Sequence, residues 1–430
     1  MISPVKPKVN VACIGNMNNM LYPIAKILSQ KGLPVTLFLL DEYENFIPPN
    51  DFIGGDFDMV KLGWNERTFS NTSKEDILGI FKGFNFFIGM DYSAAYMTKA
   101  GIRLDIYMPA GSDLFDWPFK KFNSAFPEMW EISKVTCAMA QHQGIKYAKF
   151  FSLDSTDTNS ENTLLKINIK GVRIPTLPLI YHQNLSLNIE QEEIAFIRKL
   201  KTDGCFIIMQ QGRQAWKYSD TNPHQKGNDI LIKGFGTFLR NSDMANNKLV
   251  LFSYGEDVKS TEELINELDL MLNVIWIKPL NVLYVQQILK YAHIIVGNLK
   301  IGRLSYGAVY EALACKVSFM GYREDQLYKE NYDKLYPMIN VATPEEVADQ
   351  LEYYYHNRKE LTTMGEQGHD WLLNYAINPS VQKVLEIIKN HKGRKKLPID
   401  WKLVFMQPYF IFIRIYNVFA IKFKGIVNRA

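Results

Sequence analysis

The sequence predicts two tandem, doubly wound α/β domains followed by a basic amphipathic tail, and three observations point there. At 430 residues the chain is too long for one ordinary hydrophobic core, which favours two domains of roughly 200 residues each. Short β-branched and aromatic runs alternate with helical patterns from the N-terminus onward, as in parallel sheets with crossover helices. The same alternation restarts after a charged helical stretch over residues 189–201.

The elements follow in order. Val9 to Gly15 (VNVACIG) reads as a buried strand, and Gly15-Asn16-Met17-Asn18-Asn19 reads as a tight polar turn. A helical pattern then runs from about Met20 to Gln30, is stopped by Gly32, and leads into a strand at Pro34 to Leu40. Strand, turn, helix and strand make a βαβ unit. Asn85 to Gly89 is the next strand, Ala94 to Ala100 a helix, and Leu104 to Met108 a strand that enters Pro109-Ala110-Gly111-Ser112-Asp113. A helix near Glu128 to His142 precedes a strand around Tyr147 to Leu153.

The second series opens with a strand at Cys205 to Met209, ending in Gln210-Gln211-Gly212-Arg213. A helix at Asp229 to Arg240, a strand at Lys248 to Ser253 and a helix at Thr261 to Leu268 come next. Val274 to Ile277 and Ile294 to Val296 are strands around a helix at Val282 to Tyr291. A loop, a helix at Gly307 to Ala314 and a strand at Val317 to Met320 complete the series. The boundary falls near residues 184–203. Two such domains imply ligand sites at the carboxyl ends of their strands, facing a cleft.

Composition narrows the class. Hydrophobic residues at 47% and charged residues at 22% belong to a folded globular protein. The four cysteines (Cys13, Cys137, Cys205, Cys315) are far apart, which argues against a zinc site or a disulfide framework and fits a reducing compartment. No basic stretch followed by an apolar run and cleavage site opens the chain, so a cytoplasmic location is expected. The net charge of +4 is unevenly spread: nine basic and one acidic side chain lie from Lys392 onward, against 40 basic and 44 acidic before it.

Four segments of the second half, in this order, carry a family resemblance. The first is Gly212-Arg213 followed by Lys226-Gly227-Asn228-Asp229-Ile230-Leu231-Ile232-Lys233-Gly234-Phe235. The second is Lys248 to Gly255 (KLVLFSYG), and the third is Asn273 to Pro279 leading to Val296. The fourth is Tyr306-Gly307-Ala308-Val309-Tyr310-Glu311-Ala312-Leu313-Ala314-Cys315-Lys316-Val317. Together they resemble the donor domain of GT-B glycosyltransferases, specifically retaining family 4, over roughly residues 205–375.

That resemblance implies a GT-B fold: two Rossmann-like domains facing across a cleft. Residues 1–188 would be the acceptor-side domain, completed by a crossing helix near 376–391 that serves as a hinge, and 189–375 the nucleotide-sugar domain. It also implies a role for each matching residue. Gly212, Arg213 and Lys226 would meet the donor's diphosphate, with the amides around Ser305, Tyr306, Gly307 and Ala308 at a helix start, and Glu311 would accept the ribose hydroxyls. The chemistry suits these types, because charge grows on the leaving diphosphate and fixed cations and N–H groups stabilise it. Arg303 stands where relatives often carry a glutamate that contacts the donor sugar. Either Arg303 or Lys300 meets an anionic sugar or the phosphate, or the loop is shifted and Arg303 points to solvent.

In the first half, Gly15, Asn16 and Asn18 form a candidate acceptor or phosphate loop, the alternative being an Asx turn. Asp113 is the candidate active-site acid beside Ser112, the alternative being a helix cap. Arg213 and Lys226 join Asp113 as the catalytic set, and no covalent nucleophile is named. No Asp-x-Asp motif sits in a plausible place, so neither metal nor cofactor is expected beyond the nucleotide sugar.

The tail, residues 392–430, combines Lys392-Gly393-Arg394-Lys395-Lys396 with the apolar, aromatic run YFIFIRIYNVFAIKFKGIV after Pro408. An interfacial helix on the inner leaflet fits best. A membrane span (Arg414 and Asn417 lie centrally) and a helix packed on the protein itself are the alternatives. The expected function is sugar transfer from a nucleotide sugar to a glycan or lipid-linked acceptor in cell-surface polysaccharide assembly, with no nucleic-acid partner. The alternatives are a nucleotide-sugar epimerase of the same fold and a catalytically silent sugar-nucleotide-binding protein.

Overall fold

A computed structural model of the chain describes residues 9–40, 57–123, 128–153, 158–175, 190–218, 225–241, 246–329, 332–393 and 396–398. The tail beyond residue 398 and residues 184–189 of the expected domain boundary lie outside the described residues. The chain divides into two compact units: one is the described part of Met1–Tyr43, Gly54–Leu177 and Ser380–Ala430, the other the described part of Pro178–Pro379.

The first unit is built on a seven-stranded sheet. Its strands are β1 (Val11–Ile14), β2 (Val35–Leu39), β3 (Asp58–Lys61), β4 (Phe86–Gly89), β5 (Ile106–Tyr107), β6 (Phe150–Ser152) and β7 (Val172–Ile174), in the order β3-β2-β1-β4-β5-β6-β7. Every pairing is parallel, with Val11 opposite Val35 on one side and Phe86 on the other. The central strands carry uninterrupted apolar side chains because helices cover both faces. Phe87, Ile77, Phe81, Tyr96 and Phe151 pack in its core, and Trp64 stacks on Tyr96 at 4.2 Å. Burying each such side chain contributes about 1.5–3 kcal/mol.

The end of this unit is fastened by polar contacts. The helix Asn378–Lys389 delivers His391 to a buried position beside Asp105, with Nδ1 3.3 Å from a carboxylate oxygen. Beyond it Lys396 pairs antiparallel with Ile102, the Leu397 amide donates to Gly101, and Gln143 donates to the Pro398 carbonyl at 3.0 Å.

The second unit is a six-stranded parallel sheet: β8 (Phe206–Gln210), β9 (Asn247–Phe252), β10 (Val274–Ile277), β11 (Ile294–Val296), β12 (Ser318–Gly321) and β13 (Ile339–Asn340). The order β10-β9-β8-β11-β12-β13 reverses direction between β8 and β11. A reversal of this kind opens a crevice at the carboxyl ends of the two strands, where ligands of open α/β sheets bind. Phe206, Ile208, Leu249, Leu251, Ile294 and Val296 fill the core with Phe235 and Phe238 from the helix Asn228–Asn241. Two helices unassigned from the sequence close this unit: Pro344–His356, started by a Thr343–Glu346 capping box, and Arg358–Trp371.

Candidate functional site

The loops after β8 and β11 flank the reversal point of the second sheet. After β8 the chain passes through Gln210 and Gln211, both buried, to Gly212 and Arg213. Asn228, fully buried at the start of its helix, holds this turn: its Oδ1 accepts from the Ala215 amide at 3.0 Å, and its Nδ2 donates to Gln210 Oε1 at 2.8 Å and to the Arg213 carbonyl. Gly255, at φ +110°, lets the loop after β9 lie against the backbone of Gln214, where a Cβ would collide. The Gln214 amide donates to the Tyr254 carbonyl at 2.8 Å, which fixes the two loops together.

The loop after β11 is held just as firmly. Asn298 donates from Nδ2 to the Gln225 carbonyl at 2.9 Å, while its Oδ1 accepts from the amides of Lys300 and Ile301. The Leu299 amide donates to the Lys226 carbonyl at 3.1 Å, so the loop and the Lys226 segment move as one piece. The Tyr306 hydroxyl accepts from the Asn298 amide at 2.8 Å and folds the loop back to the start of the helix Gly307–Ala314. The N-cap residue Tyr306 makes no side-chain cap bond at that helix start, where the positive end of the dipole lies.

Electrostatics mark the site. The Lys226 ammonium is pulled down to about 8 by burial, and further by the charges of Arg213 and Arg303. The three cations are therefore near one another, Arg213 and Lys226 from the connection after β8 and Arg303 from the loop after β11. Arg213 lies 3.8 Å from Glu256, a half-exposed carboxylate that compensates it only weakly. The Glu311 carboxyl, one turn into the helix, is pushed up to about 7 by burial, a shift partly offset by a 2.8 Å bond from Gln211 Nε2. Tyr254 approaches the same carboxylate: its phenol is raised by burial and by the Glu311 charge, and its hydroxyl donates to the Gln211 carbonyl.

The expected donor residues Arg213, Lys226, Arg303, Ser305, Tyr306, Gly307, Ala308 and Glu311 thus lie on the loops and helix around one reversal point. A Cβ added at Gly212 or Gly307 would meet nothing within 4 Å, so protein packing gives neither glycine a reason. Sequence reasoning missed Gln211, Asn228, Asn298 and Tyr254. The available signal was the polar pair Gln210-Gln211 closing an apolar strand and the lone asparagines beside loop glycines. Among the described residues, no three His, Cys, Asp or Glu side chains cluster as metal ligands.

The first unit gives its expected residues other employment. Asp113 is 0% exposed. One of its oxygens accepts from the amides of Ala110 and Gly111, the other from the Asp91 amide and the Tyr107 hydroxyl. With four protein donors around it, this carboxylate knits the loops after β4 and β5 together, and its reading as an active-site acid gives way to a structural one. Asn16 is likewise buried: its Oδ1 accepts from the amides of Leu21 and Tyr22, which start the helix Leu21–Gln30, and its Nδ2 donates to Asn19. Gly15 has a packing reason of its own, since at φ +90° a Cβ would sit 2.8 Å from the Met90 carbonyl oxygen. Asn18, at φ 54°, and Ser112 are exposed.

No protein-family model matches the chain, and neither does any curated protein sequence. Solved structures do. HepE of Anabaena, in complex with UDP-glucose, shares 12% identity at a TM-score of 0.57, covering 89% of this chain and all 100% of its own. WaaG, a glycosyltransferase involved in lipopolysaccharide biosynthesis, shares 14% at 0.53, covering 89% and 100%. The fold is GT-B. The UDP-GlcNAc 2-epimerase from Neisseria meningitidis, bound to UDP-GlcNAc, is similar at 12% identity and 0.52, again covering 89% and 100%. Likeness at this level is a likeness of fold, and the chemistry has to be drawn from the residues.

Proposed function

We propose that the chain is a glycosyltransferase that uses a nucleotide sugar. One observation carries the reading: Arg213, Lys226 and a helix start meet at the reversal point of the second sheet, with Glu311 one turn beyond. Cations and amides so placed are complementary to a diphosphate leaving group, whose negative charge increases as the glycosidic bond breaks. Glu311, held by Gln211, accepts the ribose hydroxyls. Gly212 and Gly307, which packing does not require, leave the backbone open to a phosphate or sugar. HepE and WaaG, similar in fold, are consistent with this reading.

In the reaction the bond from the sugar's anomeric carbon to the diphosphate oxygen breaks, and a bond to an acceptor hydroxyl oxygen forms on the same face. The hydroxyl proton passes to the departing phosphate oxygen. The first unit takes the acceptor, a glycan or lipid-linked saccharide, with Asn18 and Ser112 as its exposed candidates. The chain's own cations carry the diphosphate charge, without a resident metal. The basic tail places the protein peripherally on the cytoplasmic face of a membrane, and among the described residues no helix is long and apolar enough to cross one.

The epimerase likeness gives a second reading specific content. Incubation with nucleotide sugars and saccharide acceptors separates the two: a transferase releases nucleoside diphosphate with a new glycoside, while an epimerase returns an isomerised nucleotide sugar without acceptor. Binding with neither product would leave a catalytically silent protein, against the proposal.

A further inference from the structure

A nucleotide sugar's diphosphate carries two negative charges, which Arg213 and Lys226 match. Arg303 is a third cation. Among the described residues neither Arg303 nor Lys226 forms an ion pair with a carboxylate, while Arg213 lies 3.8 Å from the half-exposed Glu256. Glu311 is engaged by Gln211.

Arg303 is also held rigidly. The carbonyl before it, of Gly302, accepts from the buried Tyr328 hydroxyl at 2.9 Å. The carbonyl after it, of Leu304, accepts from the buried Tyr336 hydroxyl at 2.7 Å, and Leu304 itself is buried. A Cβ at Gly302 would lie 2.9 Å from the Glu324 amide nitrogen, so the backbone is pressed close on that side as well. Through Asn298 and Leu299 the same loop is bonded to the backbone of Gln225 and Lys226. Two buried tyrosines therefore set the backbone on either side of Arg303, and its planar guanidinium fork suits a carboxylate bound through two parallel hydrogen bonds.

We propose that Arg303 selects a donor whose sugar itself carries a carboxylate, a nucleoside diphosphate uronic acid. This rests on the donor-site reading above and adds the class of sugar. Arg303 is then a specificity residue, touching the sugar rather than the diphosphate.

Titration of the full-length protein with two donor series tests it: UDP, UDP-glucose and UDP-glucuronate, and GDP, GDP-mannose and GDP-mannuronate. In the series whose base is accepted, the uronate should bind roughly tenfold or more tighter than its neutral counterpart, the worth of one charged pair. Arg303→Ala should remove that preference, costing the uronate several-fold more affinity than the bare nucleoside diphosphate, whose retained binding also shows the variant folded. Equal binding of neutral and uronic donors by the wild type would overturn this inference and leave the donor site standing. So would an Arg303→Ala variant that loses the nucleoside diphosphate and the uronate equally, placing Arg303 on the phosphates. Binding of none of the six compounds would overturn both readings together.

Discussion

Lys226 and Glu311 are each held in a state that costs the fold something, and both costs have a sign that can be measured. Lys226 titrates near 8 in the folded chain, below its ordinary 10.5, so between those values the unfolded chain holds more protons and stability rises with pH. Its penalty is fully present below pH 8. Lys226→Met should therefore raise the melting temperature at pH 7 by about 2–4 °C and leave it unchanged at pH 10.5, while donor affinity falls at least about a hundredfold. Donor affinity of the wild type should weaken as pH climbs through 8, because the ammonium that meets the diphosphate is being lost. Glu311 runs the other way. Its folded value near 7 lies above 4.5, the folded chain binds more protons between them, and stability falls as pH rises across that window. Glu311→Gln should stabilise the protein at pH 8 and not at pH 4, as thermal melts at the two values will show. Asp113→Ala removes an acceptor from four donors and should cost about 3 kcal/mol in chemical denaturation. Turnover per folded molecule should remain, whereas a true catalytic acid would take turnover with it.

At the scale of elements, the loop after β11 is the part that shapes the site. Asn298 is its keystone: Asn298→Ala frees two amides and a carbonyl of the loop, so donor affinity should drop about tenfold and the melting temperature should fall as well, as calorimetry and thermal melts would show. The central strands were legible because apolar runs bounded by glycine and polar turns have few other homes, and β1, β2, β4 and β8 fall where their patterns lie. β3 was not legible, since Asp58–Lys61 is a short edge strand whose side chains alternate poorly and lie mostly outside the core. The helices Pro344–His356 and Arg358–Trp371 went unassigned although Thr343-Pro344-Glu345-Glu346 is a start signal in plain view. That Arg213, Lys226 and Glu311 fall on one end of the second sheet was legible because charge next to glycine after a strand has a chemical meaning of its own. Asp113 shows the complement: residue type gives the chemistry a side chain is capable of, and only the structure shows that four protein donors already meet its oxygens.

At the scale of the molecule, two parallel sheets stand on separate cores, and the charge is segregated toward the C-terminal end. Residues 396–398 are tied to the first unit at Gly101, Ile102 and Gln143, so a deletion of residues 399–430 keeps that anchorage. The truncated protein should stay folded and move from the membrane pellet to the supernatant in vesicle sedimentation with anionic lipid, as an interfacial helix with a basic anchor requires. Retention in the pellet would count against the tail as the anchor. The central claim is that a nucleotide sugar's diphosphate is gripped by Arg213, Lys226 and the amides at the start of the helix Gly307–Ala314. A crystal structure of the protein soaked with UDP-glucuronate and, separately, GDP-mannuronate tests it most directly. The account predicts diphosphate density against those two side chains with the ribose on Glu311; nucleotide density elsewhere on the chain, with these groups untouched, would contradict it.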